Sequence, residues 1–405
     1  MHNHVFVISI DALSTEDLKE LFAQPHCKEL LEGFSGALKV HSPYPSFTYP
    51  CHATIMTGCY PDKTGIFHNT DYRTGKWNWY HEDIKRPTLI DIIRQKGLTS
   101  GCVCWPVMGG APSDYLIAEI WAKNPGEDPT PIFDSVDSPL SKPIFEKHKH
   151  LLTWMTTPGF DLFATSCTAD IIKLAKPDLL CTHLSYLDHQ KHQLGTSPTG
   201  LSHAYVFIDE CLGKILEATK EAGILEQTTF VLLGDHGQKD IHTLCNLNAL
   251  LKERGYYHDA QDWQIFGYSC GCSSQIHIRN IDQQQAKEAL VEIQKDYPMA
   301  IASVMDRKDF QVFHLDGPFS FVLEAGNGYA FGKKDSILFD DPSPQDFSMA
   351  NHGYLSDTGP EPPFIVCNKK SLVLDQARMV DEAPTILSLL EIETEGMDGT
   401  VLPIC

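Results

Sequence analysis

The sequence predicts an α/β fold, a doubly wound and mainly parallel sheet with helices on both faces. Apolar, β-rich runs at residues 5–10, 179–184 and 229–233 are continuous rather than alternating. That is the pattern of strands covered on both faces. Helical patterns lie between these runs, the arrangement that builds parallel sheets from strand–helix–strand units. Each run closes at or near an aspartate: Asp11, Asp188 and Asp235. Sites in such sheets sit at the carboxyl ends of the strands, so three carboxylates are expected on one rim.

The elements follow in order. After the strand at 5–10, residues 14–22 carry a helix-compatible pattern. Residues 88–96 read TLIDIIRQK and end at Gly97, a helix with a glycine cap. A strand is predicted at 100–104. Residues 109–150 are rich in Pro, Asp and Ser and are expected to form loops near the mouth of the site. The strand at 179–184 is followed by a long amphipathic helix at 204–222, ended by Gly223, and by the strand at 229–233. Residues 258–341 read as a smaller inserted α+β cap. It has a strand at 274–278, a helix at 283–295 and strand-like runs at 310–314, 319–324 and 328–331. The sheet pattern resumes at 363–367 and a helix follows at 382–390. The expected organisation is a catalytic core over 1–257, the cap over 258–341 and the end of the core over 342–405.

The chain has 405 residues, 42% hydrophobic and 21% charged, the range of an ordinary globular protein. Its formal net charge of −21 disfavours a nucleic-acid polymer as partner, and no Lys/Arg-rich run offsets it. Single nucleotides stay open as ligands, because a bound metal attracts a phosphate that the overall field repels. The N-terminal segment lacks a basic region followed by a long apolar core, so no cleaved leader is expected. No apolar stretch is long enough to predict a membrane span. The 13 cysteines are odd in number and irregularly spaced, which suggests reduced thiols and a cytoplasmic location. Cys102 with Cys104, and Cys270 with Cys272, fit strand alternation better than a metal pair.

Five short segments carry the chemistry: Asp11; residues 45–52 around Thr48; residues 188–192; Gly234-Asp235-His236-Gly237; and Asn351-His352-Gly353-Tyr354. Asp188 and His192 stand four residues apart and share a helix face, so they can clasp one metal. Asp235 and His236 are adjacent at a strand end before a glycine. Asp11 adds a carboxylate from another strand, and His352 lies in a glycine-flanked loop. Mixed His/Asp ligation suits zinc, with manganese and iron close behind. Thr48 precedes Tyr49-Pro50 and a run ended by Gly58, which places it at a helix N-terminus. There the helix dipole and free N–H groups favour a phosphate oxygen. A metal at Thr48 would lower its hydroxyl pKa and make it a nucleophile.

Residues 45–69, reading PSFTYPCHATIMTGCYPDKTGIFHN, resemble the nucleotide pyrophosphatase/phosphodiesterase (type I phosphodiesterase) family of the alkaline phosphatase superfamily. The Asp188/His192 pair, Asp235-His236-Gly237 and His352-Gly353-Tyr354 come in family order, and the stretch from Pro87 to Pro106 matches as well. The resemblance implies an alkaline phosphatase-like fold and two divalent metal ions, zinc foremost. One is held by Asp188, His192 and His352, the other by Asp11, Thr48, Asp235 and His236. It implies a phospho-threonine intermediate on Thr48 and a small, nucleotide-like phosphate-ester substrate. Cys51 stands where many members carry an asparagine that donates to a phosphoryl oxygen. This departure keeps a phosphonoacetate hydrolase-like activity, or a phosphomonoesterase or phosphomutase, in view.

Bland readings stand beside these. Ser46 competes with Thr48 as the reactive hydroxyl, leaving Thr48 as a helix cap. His52 reads as structural, and His189 is expected to point away from the ligand pair. Asn69 and Tyr186 either line the phosphate pocket or pack. Trp105, Trp154 and Tyr205 either stack on a base or fill the core. A non-catalytic metal-binding protein is the remaining class, against which the nucleophile position argues.

Overall fold

The computed structural model describes residues 3–120, 127–152, 158–367 and 370–404. The central sheet uses β1 (His4–Ile10), β2 (Ser35–Ala37), β3 (Ser100–Val103), β4 (Tyr115–Ile117), β5 (Leu179–Leu184) and β6 (Thr228–Leu233). A second sheet uses β7 (Ile265–Ser269), β8 (Ser273–Ile278), β9 (Ile301–Asp306) and β10 (Phe321–Ala325). The chain then returns to the first sheet with β11 (Phe364–Cys367) and β12 (Val373–Leu374). The eight strands of the central sheet run in the order β12-β2-β11-β6-β1-β5-β3-β4. The main helices are α1 (Thr48–Thr57), α2 (Leu89–Gln95), α3 (Gly159–Ala175), α4 (Tyr186–Leu194), α5 (Ser202–Glu221), α6 (Gln283–Asp296) and α7 (Glu382–Leu389).

Strands β1, β5, β6, β3 and β4 are mutually parallel, with Ile10 opposite Leu184 and Ser9 opposite both His183 and Leu233. Both faces are covered, which is why the strands read as unbroken apolar runs. Phe6, Ile8 and Ile10 pack with α3 and α5 on one face, while Val5 and Val7 pack with α1, α2 and α7 on the other. Cys102 and Cys104 fall on opposite faces, which corrects the expected alternation: the strand ends at Val103, and Cys104 turns out of it with φ 53. At α2, Thr88 is the N-cap, its hydroxyl accepting from the Asp91 N–H at 3.3 Å.

β11 runs antiparallel to β6 and β2. The loop at residues 351–354 first crosses the carboxyl rim of the parallel strands. The next strand then starts from that rim and runs back. The sheet is therefore mixed at this edge. The second sheet has the order β7-β8-β10-β9 and is antiparallel, with α6 burying Ala286, Ala289, Leu290 and Ile293 against it.

Several local expectations need correction. Residues 109–150 are not only loops. They hold the edge strand β4 and helices Thr130–Val136 and Lys142–His148, with Phe133 and Phe145 stacked at 4.0 Å and buried beside Phe163. The run at 310–314 belongs to the helix Arg307–Gln311 and the turn after it; Asp306 and Asp309 form its capping box, which outweighs the β-rich composition. The pattern at 14–22 splits into a 3₁₀ turn, Thr15–Asp17, and a short helix, Leu18–Phe22.

That 3₁₀ turn anchors a buried polar network. Lys191 Nζ lies 2.6 Å from Asp17 Oδ2 and donates to the Ala12 carbonyl at 2.8 Å. Tyr205 and Ser14 hydroxyls also donate to Asp17, each at 2.7 Å. Burial alone would raise the Asp17 carboxyl, but the Lys191 ammonium and these donors outweigh it and hold it below the usual aspartate range. The pair fastens α4, which carries Asp188 and His192, to the turn that follows Asp11.

Replacing Asp17 by Asn leaves the Lys191 charge buried without a counterion, which should cost about 3–5 kcal/mol in urea denaturation at neutral pH. The native Asp17 contribution is present above the ordinary aspartate pKa of about 4 and is lost as pH falls through the lower folded value. The gap between wild type and Asp17→Asn should therefore close in acid. A gap independent of pH would contradict the assignment.

Candidate functional site

The parallel register aligns the strand ends, and the residues just beyond them form the site. Asp11 follows β1, with its backbone N–H bonded to the Leu184 carbonyl at 2.8 Å. Ala12 then turns with φ 59, and its N–H donates to Asp235 Oδ1 at 3.0 Å. This approach is close enough that a Cβ on Gly234 would lie 2.1 Å from the Leu13 carbonyl, so only glycine fits there. Asp188 and His192 share one face of α4, with Asp188 Oδ1 3.4 Å from His192 Nε2. His352 Nε2 lies 4.0 Å from the same oxygen.

Every predicted metal ligand is brought together. His236 Nε2 lies 3.1 Å from Asp235 Oδ2, 3.4 Å from Asp11 Oδ1 and 3.2 Å from Thr48 Oγ1. Asp11, Asp235 and His236 have ligand atoms within 4.8 Å of one another, and so do Asp188, His236 and His352. The two sets are contiguous, and the rings of His236 and His352 stack at 3.8 Å.

The electrostatics fit a cation. Burial, then the charges of Asp188, Asp235 and Glu119, push the Asp11 carboxyl well above its ordinary range. Burial likewise raises Asp235, against the Ala12 hydrogen bond. Burial lowers His236 strongly and takes His352 to about 4, so both imidazoles are neutral and can offer lone pairs. His192 Nδ1 faces the Ala350 carbonyl at 2.7 Å and His352 Nδ1 faces the Ser46 carbonyl at 3.1 Å, which leaves each Nε2 turned to the cluster. This is how metal-binding histidines are oriented. Asp11 Oδ1 and Asp235 Oδ2 are buried without a hydrogen-bond partner among the described residues, as ligand atoms awaiting a cation would be. The donor set therefore fits divalent metal.

Thr48 is the first residue of α1, and Phe47 is the N-cap. Its hydroxyl points to His236 and does not cap the helix. Ser46 is turned away from the ligand cluster: its hydroxyl donates to the Tyr354 carbonyl at 2.9 Å and its own carbonyl holds His352 and the Gly353 N–H. The helix offers fewer free donors than the sequence suggests. Pro50 has no N–H, and the Tyr49 N–H donates to Asn69 Oδ1 at 3.0 Å. That bond leaves the Asn69 amide N–H₂ to donate into the cavity that Asn69 lines.

Two substrate-binding expectations are overturned. Cys51 is fully buried in the apolar layer beneath α1 and does not reach the cavity, since position 51 faces the sheet. Tyr186 packs on Phe207 at 4.6 Å, because the first turn of α4 directs it away from the ligand face. Of the aromatics, Trp105 is fully buried in the core and Tyr205 bonds Asp17; Trp154 lies outside the described residues. His52 is buried inside α1, 2.9 Å from the Ser9 hydroxyl, as a structural residue. His189, expected to point away, lines the cavity rim against Phe347.

The cavity of about 560 Å³ contains residues that sequence reasoning missed. Glu119 follows β4 by two residues, accepts from the Tyr49 hydroxyl at 3.1 Å and keeps Oε2 unpartnered among the described residues. His183, on β5, sits 3.4 Å from Asp11 Oδ2 and 4.0 Å from Glu119 Oε2. Residues 115–119 repeat the signal of an apolar run closing on a carboxylate, but the run is too short to stand out. Lys333 reaches the cavity from the second sheet's side and has no sequence signal.

A metal-free protein holding these carboxyls binds more protons than its unfolded chain, so its stability should fall as pH rises above about 4. Divalent metal should reverse this. Thermal melts with zinc and with a chelator should diverge increasingly from pH 5.5 to 8, with the chelated protein melting lower. Coincident melts would contradict a metal centre.

The sequence model for "Type I phosphodiesterase / nucleotide pyrophosphatase" matches residues 5–354. The chain is 25% identical over 255 residues to Bos taurus ectonucleotide pyrophosphatase/phosphodiesterase family member 3, a match spanning 59% of this chain but only 24% of that protein. It is 20% identical over 419 residues to Xenopus laevis bis(5'-adenosyl)-triphosphatase, covering 98% of this chain and 80% of the relative. In fold it resembles murine ectonucleotide pyrophosphatase/phosphodiesterase 5, solved as an inactive threonine-to-alanine form with AMP, at a TM-score of 0.70 and 16% identity over 98% of this chain and 97% of that one. The rim of carboxylates, the threonine at a helix N-terminus and the family match over residues 5–354 agree: the chain belongs to the type I phosphodiesterase/nucleotide pyrophosphatase family.

Proposed function

We propose that the chain is a two-metal phosphohydrolase that cleaves a phosphodiester or pyrophosphate bond of a nucleotide-type substrate through Thr48. The observation that carries this reading is the Thr48 hydroxyl, 3.2 Å from His236 at the mouth of the ligand cluster and at the start of α1. Asp11, Thr48, Asp235 and His236 would hold one ion, and Asp188, His192 and His352 the other. When bound, two divalent ions supply Lewis-acid charge that acidifies a bound hydroxyl and neutralises charge developing on a transferring phosphoryl group.

The residues' own parts follow from the geometry. Thr48 Oγ1 attacks phosphorus and forms a phosphoester bond while the bond to the leaving oxygen breaks in line on the far side. The Asn69 amide donates to a phosphoryl oxygen, because its carbonyl is already bound by the Tyr49 N–H. Water then cleaves the phospho-Thr48 ester and returns the hydroxyl. Tyr49, Trp77 and Phe160 give one end of the cavity flat apolar walls, a surface suited to a nucleobase. The names of the Xenopus and bovine relatives support nucleotide anhydrides and esters as the substrate class. A reducing, cytoplasmic setting is proposed on the unpaired thiols of the described cysteines.

Kinetics with added zinc should place the activity. An aryl ester of a nucleoside 5'-monophosphate should be turned over with higher kcat/KM than an aryl phosphate monoester or phosphonoacetate. Thr48→Ala should abolish turnover, by about a thousandfold or more. Asn69→Ala should lower kcat by about a hundredfold. Turnover surviving in Thr48→Ala would overturn the mechanism. A preference for monoester or phosphonoacetate would move the substrate class and keep the nucleophile.

A further inference from the structure

We propose that Lys333 reads a second anionic group, carried by the leaving group of the substrate, and so selects substrates whose departing part bears a phosphate or a carboxylate. The inference rests on the phosphohydrolase reading of the site.

The cavity has two unlike ends. Toward the core its walls are Tyr49, Trp77 and Phe160, with the Glu119 carboxyl among them. Toward the second sheet the walls are Asn246, Phe331, Gly332, Lys333 and Lys334. Two lysines at one end of a cavity are notable in a chain of net charge −21. They are not equivalent. The Lys334 ammonium pairs with Asp340 and lies in the field of Asp346, and those are the two carboxylates on this rim. No hydrogen bond or ion pair engages the Lys333 side chain among the described residues.

The backbone presents Lys333 at a fixed place. The Gly332 N–H donates to the Cys245 carbonyl at 2.9 Å, and the Lys334 N–H donates to Asn246 Oδ1 at 3.0 Å. A Cβ on Gly332 would lie 2.2 Å from that same Asn246 oxygen, so the turn is closed tightly around Lys333. Lys333 is exposed on the cavity wall, and its charge opposes protonation of His68, which burial already disfavours. His68 packs on Phe47 at 4.8 Å, and Phe47 packs on His352 at 4.8 Å. The Phe331 N–H donates to the Gly271 carbonyl at 2.7 Å, and a Cβ on Gly271 would lie 2.4 Å from the His352 carbonyl, so the segment that carries Lys333 borders the His352 side of the site.

In-line displacement decides which part of the substrate meets it. Thr48 sits with Asp235 and His236, so the leaving oxygen departs toward Asp188, His192 and His352. The leaving group therefore extends into the lysine end, and the retained group lies against the aromatic walls. A free ammonium there favours an anionic leaving group, such as the pyrophosphate of a nucleoside triphosphate, over a neutral aryl one.

The test compares the zinc-loaded wild type, Lys333→Gln and Lys333→Arg. The substrates are a nucleoside 5'-triphosphate, the p-nitrophenyl ester of the same nucleoside monophosphate, and phosphonoacetate. In Lys333→Gln the ratio of kcat/KM for the triphosphate to that for the aryl ester should fall tenfold or more, mainly through KM. Lys333→Arg should restore most of it. A fall confined to the phosphonoacetate-to-aryl ratio would identify the anion as a carboxylate. Both ratios unchanged within twofold would overturn the role of Lys333 and leave the phosphohydrolase reading standing. A wild type inactive on all three would remove that reading and this one with it.

Discussion

Asp11, Glu119, Asp188 and Asp235 gather along one rim of the sheet, and three of them are buried. Parallel register alone brings them there, because each follows a strand that ends level with its neighbours. Carboxyls this close, out of water, repel one another and resist ionisation, so ionising them costs stability that positive charge among them would offset. The neighbouring groups are consistent with that charge being metal. His236 and His352 are neutral, and the Nδ1 atoms of His192 and His352 face backbone carbonyls, which turns each Nε2 toward the carboxylates. Among the described residues the one buried lysine nearby, Lys191, is committed to Asp17 and the Ala12 carbonyl and so holds the site's frame rather than filling it.

The same rim accounts for the irregular parts of the fold. His352 must reach it from a loop, so the chain enters β11 from the carboxyl edge and runs antiparallel to β6. The turn between β7 and β8 supports that loop: the Cys272 N–H donates to the His352 carbonyl at 2.7 Å, and a Cβ on Gly353 would lie 1.8 Å from the Cys270 carbonyl. The second sheet thus holds a ligand in place, while residues 331–334, at the end of a strand paired with Thr243–Cys245 in a separate small sheet, shape the cavity.

What was legible in the sequence follows from the strength of each physical signal. The parallel strands were clear because burial on both faces demands unbroken apolar runs, and Gly97 and Gly223 marked helix ends through their left-handed φ of 72. The ligands were legible because each sits one to four residues beyond a strand or within a spaced pair. β4 was missed because three residues are too few to show a pattern, and β7 and β9 lack strong alternation. Cys51 was misplaced because position along α1 does not tell which face meets the sheet; the amide that faces the cavity comes from Asn69, 21 residues after Thr48 in the numbering. Lys333 had no signal at all, since its position depends on a turn closed by Asn246 from a distant segment.

The most direct test of the account is chemical trapping of the intermediate. The zinc-loaded protein would be mixed with a nucleoside monophosphate aryl ester, quenched in acid within the first turnover and digested for peptide mass spectrometry. A nucleoside-phosphoryl adduct on Thr48 is expected, within the peptide that spans residues 45–69. An adduct on Ser46, or full turnover with no adduct on Thr48 at any quench time, would contradict it.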